Sequence, residues 1–94
     1  MKAIFANTTI AESKNTVIVE GNHYFPEEDV HMEYFKHSNL KTTCPWKGES
    51  SYYNVEVGDQ KSVNAAWVYV EPKKEAAHIK GHIAFSNSVN VIED

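Results

Sequence analysis

The densest run of chemically useful side chains is Thr42-Thr43-Cys44-Pro45-Trp46-Lys47-Gly48-Glu49-Ser50-Ser51-Tyr52-Tyr53. It holds the only cysteine of the chain, several hydroxyls, an ammonium group three residues after the thiol, and three aromatic rings. Pro45 and Gly48 predict a shaped turn over Thr42–Gly48 rather than a helix. A cysteine beside a lysine can carry a lowered pKa and be partly thiolate near neutral pH. Cys44 and Lys47 are therefore the candidate catalytic pair, although a nucleophile also needs a base and an oxyanion site. The alternative for Cys44 is a small buried apolar residue at a strand start, with Lys47 in solvent. Lys47 can also anchor an anionic ligand as a point charge. Tyr24, Thr43, Trp46, Tyr52, Trp67 and Tyr69 are the candidate binding residues around it, because pockets favour aromatic walls with a few polar handles. Strand alternation assigns Tyr53, Trp67 and Tyr69 mainly to the core and leaves Trp46 and Tyr52 as the pocket or surface aromatics.

Other chemistries are less well served. His78 and His82 stand four apart, but Gly81 interrupts any helix that would pair them on a metal. One cysteine excludes a Cys-x-x-Cys zinc site. Glu27-Glu28-Asp29 suits the positive end of a helical turn as well as a hard cation. There is no glycine-rich phosphate loop and no Gly-x-Ser-x-Gly elbow. The reading is of no metal and no cofactor.

The chain has 94 residues, thirteen acidic and nine basic, for a net charge of −4. Every basic residue is lysine, and the lysines are scattered, with one adjacent pair at Lys73-Lys74. Nucleic-acid binding draws its affinity from a basic stripe, and phosphate recognition favours arginine, so no nucleic-acid partner is expected. No apolar run is long enough to span a membrane, and the polar start lacks a secretory pattern. With a lone cysteine, these features place the protein in the cytoplasm, as a monomer or homodimer.

The elements that must position the cluster read as short strands. Ala3–Ala6, Thr8–Ala11 and Thr16–Glu20 alternate, and Thr-Val-Ile-Val is β-branched. Pro26–His37 reads as one or two helical turns ended by Ser38-Asn39. Ser50–Val57 and Ala65–Val70 predict a hairpin about Gly58–Lys61, with Tyr53, Val55 and Val57 on one face. Glu75–Ile79 suggests one helical turn. His82–Ser86 and Val89–Ile92 close the chain, joined by an Asn87-Ser88 turn. About seven strands and little helix make one mainly β domain over residues 1–94.

Taken in order, Glu20-Gly21-Asn22-His23-Tyr24-Phe25-Pro26, Asp29-Val30, Thr42-Thr43-Cys44-Pro45-Trp46-Lys47-Gly48 with Tyr52-Tyr53, Trp67-x-Tyr69-x-x-Pro72 and Ile79-x-Gly81-His82-Ile83-Ala84-Phe85 resemble a bacterial and fungal family, domain of unknown function 427. The resemblance runs from about Ala3 to Val91. It implies a compact β-tent-like fold, similar to methionine sulfoxide reductase B and translationally controlled tumour protein. The zinc of some of those relatives rests on paired cysteines and does not carry over. The family also bears a nucleotidyltransferase label. Metal-assisted nucleotidyl transfer needs gathered carboxylates, whereas Asp29, Asp59 and Asp94 lie far apart in sequence.

The reading that follows is a binding module for a small polar or anionic ligand at the Thr42–Tyr53 segment, anchored by Lys47. The alternatives are a small thiol or acid–base enzyme using Cys44 and Lys47 with a histidine such as His23 or His82, a nucleotidyltransferase, and an oligomerisation domain pairing through exposed strand edges.

Overall fold

A computed structural model describes residues 1–94 and is mainly β. Nine strands run β1 Lys2–Phe5, β2 Thr8–Glu12, β3 Val17–Val19, β4 Asn22–Tyr24, β5 Phe35–Cys44, β6 Gly48–Val57, β7 Gln60–Val68, β8 Ile83–Phe85 and β9 Asn90–Ile92. They form three antiparallel sheets, ordered β2-β1-β9, β3-β4 and β5-β6-β7-β8. The only helical pieces are 3₁₀ turns at Glu27–Asp29, Met32–Tyr34 and Lys74–Ile79.

Three differences from the sequence reading affect the site. Phe35–Cys44 is a strand, although its side chains are mostly exposed and show no alternating apolar pattern. It is an edge strand, held by backbone pairing to β6 from Phe35↔Val55 to Cys44↔Gly48, so composition carries little trace of it. Thr42 to Cys44 therefore belong to that strand, and the bend is confined to Pro45, Trp46 and Lys47. Finally, β8 and β9 are not a hairpin: β8 pairs with β7 and β9 with β1. The turn between them, closed by the Val89 N–H donating to the Ser86 carbonyl, carries the chain from one sheet to another.

The four-stranded sheet is apolar on both faces. On one, Phe35, Val55, Ala66, Val68, Ile83 and Phe85 pack with Ala3, Ile10 and Ala11 of the first sheet, with Val89 of the turn before β9 and with Phe25. Phe25 meets Phe85 edge-on at 5.4 Å between ring centroids. On the other, Tyr69 and Ala84 pack with Val19 and Tyr24 of the β3–β4 hairpin and with Ala76 and Ile79 of the last 3₁₀ turn. Neighbouring residues thus serve opposite faces, as strand alternation requires: Tyr24 and Phe25, or Ala84 and Phe85. Reciprocal backbone bonds of 2.8 Å between Phe25 and Ile83 fix the hairpin over the sheet.

Candidate functional site

The bend between β5 and β6 is built by its backbone. Gly48 follows it at φ +106°, a conformation disfavoured for residues with a side chain. A Cβ there would also stand 3.4 Å from the Lys73 backbone nitrogen. Lys73 grips the bend from outside, its N–H donating to the Lys47 carbonyl at 2.8 Å and its ammonium to the Pro45 carbonyl at 2.6 Å. Beneath the bend, Thr42 lies opposite Ser50 across the sheet. Their hydroxyls are 2.7 Å apart, and the Tyr52 hydroxyl stands 3.1 Å from Thr42 Oγ1.

This geometry turns Lys47 inward. The residue is only 6% exposed, whereas the usual fate of a turn lysine is solvent. Its ammonium lies 5.2 Å from the Trp46 ring centroid and 5.6 Å from that of Tyr69, within cation–π range. Its partner is the carboxylate of Glu20, which also accepts from Trp46 Nε1 at 3.4 Å. Burial works to lower the Lys47 pKa, but the Glu20 carboxylate, helped by Tyr24, Tyr69 and Cys44, outweighs it and holds the pKa above 10.5. The Glu20 carboxyl is held below 4.5, first by its bond from Lys47 and then by that from Trp46.

Glu20 reaches Lys47 from the tip of the β3–β4 hairpin. Val19 pairs with Asn22, and the intervening Glu20 and Gly21 both have positive φ, +53° and +81°. Two left-handed residues make the turn that matches strand twist, where asparagine and glycine are preferred. A glutamate there is out of pattern, and its carboxylate is what the hairpin delivers to Lys47.

Cys44 ends β5 half-exposed, packed against the Tyr24–Tyr69 cluster. The Lys47 backbone N–H is the largest influence on its thiol and favours the thiolate. Desolvation opposes this, the Trp46 N–H and the Lys47 charge support it, and the pKa falls below 9.0. The histidines are engaged elsewhere, His23 with the Thr16 hydroxyl at 2.9 Å and His82 with the Lys80 carbonyl at 3.0 Å.

Of the residues expected at the site, the fold brings Tyr24, Tyr52, Trp67 and Tyr69 into one aromatic group and sets Trp46 and Tyr69 against Lys47, but it does not bring Thr43 to them. Tyr24 is buried, and its hydroxyl accepts from Trp67 Nε1 at 3.1 Å. Its ring meets those of Trp67 and Tyr69 at 6.5 Å. Tyr52 and Trp67, cross-strand neighbours, lie 6.2 Å apart. Tyr69 is core, Tyr53 and Trp67 are half-buried, and Trp46 is 38% exposed. Thr43 is exposed on the edge strand, opposite Glu49. The sequence reading did not single out Glu20, Ser50 or Lys73. The one available signal was an acid before Gly21 where a tight hairpin prefers asparagine.

Three clefts open on the surface, lined respectively around Asn22 and Asn87, around Lys41 and Glu71, and around Asp29 and Asp94. None is lined by Cys44 or Lys47, so this site is a surface rather than a cavity. The third brings Asp29, Asp94 and Glu12 to one cleft despite their separation in sequence. Each has other engagements. Asp29 accepts from Ser13 Oγ at 2.6 Å, Asp94 pairs with the N-terminal ammonium at 3.2 Å, and Glu12 lies 3.9 Å from Lys2.

A three-sheet β protein with a buried lysine clamped in the β5–β6 bend is thus the class defined by fold and site. The chain belongs to the family described as Domain of unknown function (DUF427), whose profile matches residues 1–94. No curated protein matches the chain. The family's nucleotidyltransferase label implies a divalent metal for phosphate chemistry. The donor set does not fit one: the three carboxylates of the third cleft are each engaged by another partner, and no three carboxylate, histidine or cysteine side chains stand close enough together to hold an ion.

Proposed function

We propose that this protein is a small binding module that takes an anionic group, a carboxylate or a phosphate, on the surface beside the β5–β6 bend, with Lys47 as anchor. One observation carries the reading: Lys47 is withdrawn from water, yet its single counter-ion, Glu20, has a side chain 54% exposed. A desolvated cation whose only partner can swing into solvent is arranged to exchange that partner for an incoming anion. Trp46, 38% exposed, lies against the ammonium, and the half-exposed Trp67 and Tyr52 continue the aromatic surface outward from Tyr24. Tyr24 and Tyr69 form the wall behind.

The test is a titration with inorganic phosphate and with acetate, followed by tryptophan fluorescence. Glu20→Gln removes the competing carboxylate and is expected to tighten anion binding about tenfold, while Lys47→Met abolishes it. Equal affinity in the wild type and Glu20→Gln overturns the reading.

The second reading is thiol chemistry at Cys44, favoured by its half-exposed sulfur beside the Lys47 and Trp46 amides. Alkylation by iodoacetamide at pH 7 decides it. A native Cys44 that reacts no faster than a free thiol removes the basis for a nucleophile.

A further inference from the structure

The cleft beside the β3–β4 turn is chemically unlike the Lys47 surface. It encloses about 370 Å³ between the hairpin, the turn after β8 and strand β9. Asn22, Asn87 and Asn90 line it with the Ser86 hydroxyl and the His23 imidazole. No lysine, aspartate or glutamate does. Met1 also lines it, but its ammonium is taken by the Ser13 carbonyl at 3.0 Å and by Asp94 at 3.2 Å.

The frame is held in place. His23 is oriented by Thr16 at 2.9 Å. The Ser86–Val89 turn is held by its own backbone bond, by the Ser86 N–H donating to the Ala65 carbonyl at 2.8 Å, and by Ser88, whose hydroxyl accepts from Ser62 at 2.7 Å. The three asparagine side chains, by contrast, make no hydrogen bond within the protein. Each amide presents a donor and an acceptor side by side.

We infer that this cleft is a binding site for a small uncharged polyhydroxyl ring, an aldohexose or its N-acetyl derivative. A hydroxyl both donates and accepts, so a ring of hydroxyls complements three amides, whereas a carboxylate or phosphate finds no side-chain cation there. The apolar surface the cleft offers is the half-buried Val91, since Phe85 and Val89 are buried beneath it, and it suits the C–H edge of such a ring. Phe85 is only 6% exposed and presents no open face, which disfavours a nucleobase that would need to stack. The volume lies at the small end of ligand sites and suits one ring rather than a chain.

The experiment is a nuclear magnetic resonance titration of the full chain with D-glucose, D-galactose and N-acetylglucosamine, with adenine as a flat uncharged comparator. A saturable shift of the Asn22, Asn87 and Asn90 side-chain amides is expected with at least one sugar, at a Kd of about 1 mM. Asn87→Asp, at an exposed position, is expected to weaken that sugar about tenfold without changing the melting temperature. No saturable amide shift with any of the three sugars overturns the inference. So does saturation by adenine alone, or sugar affinity that survives in both Asn87→Asp and Asn90→Asp.

Discussion

Glu20 and Lys47, 27 positions apart, form one ion pair in which the acid stands in left-handed backbone and the base is buried. Neither placement is favourable alone. A glutamate at φ +53° is strained relative to glycine or asparagine, and a withdrawn ammonium without a counter-ion is costly. The pair therefore couples the β3–β4 hairpin to the β5–β6 bend, and the coupling can be measured.

Glu20→Gln and Lys47→Met are each expected to lower the melting temperature. Glu20→Gly is expected to be destabilising in the wild type but stabilising in Lys47→Met, where the carboxylate has lost its partner and glycine suits the turn. Thermal unfolding of the four combinations reads this sign change.

Stability is expected to fall on both sides of neutrality. The Glu20 pKa is lowered on folding, so its contribution is complete above 4.5 and is lost as pH falls through the lower native value. The Lys47 pKa is raised, so its contribution is complete below 10.5 and is lost as pH rises through the higher native value. The raised Tyr53 and Tyr69 pKa values, both caused chiefly by burial, act with Lys47: native stability declines as pH climbs beyond 10.0. Denaturant midpoints against pH are expected to show an acid limb that Glu20→Gln diminishes.

Cys44 titration gives a separate signal. Its depressed pKa predicts an alkylation profile whose midpoint lies below 9.0, and Lys47→Met should move it upward by removing one of the supporting charges. The shift should be modest, because the Lys47 backbone N–H outranks the ammonium among the causes.

Gly48→Ala is expected to cost about 1–2 kcal/mol, since alanine at φ +106° is strained and its methyl approaches the Lys73 backbone. Urea denaturation measures the loss, and faster exchange of the Lys73 amide would show that the grip on the bend has loosened.

Two core substitutions calibrate the fold. Phe25→Ala removes a fully buried ring from the larger core and is expected to cost about 3–5 kcal/mol. Tyr24→Phe keeps the packing but removes the acceptor of the Trp67 N–H, and should cost about 1 kcal/mol in chemical denaturation.

The sequence by itself determined the β character of the chain and most of its strands, because alternation and β-branching are local properties of Thr16–Glu20, Ser50–Val57 and Ala65–Val70. It also marked Thr42–Tyr53 as the segment where thiol, ammonium and aromatic groups gather. It did not disclose β5, whose edge position asks nothing of its side chains, nor that β8 and β9 enter different sheets. It did not disclose Glu20 as the partner of Lys47. A turn lysine reads as solvated, and only when the β3–β4 hairpin folds onto the four-stranded sheet does a carboxylate arrive to make its burial tolerable. Local pattern specifies which backbone each segment adopts; which charges meet is decided by long-range packing, since that alone sets the distance and the dielectric between them.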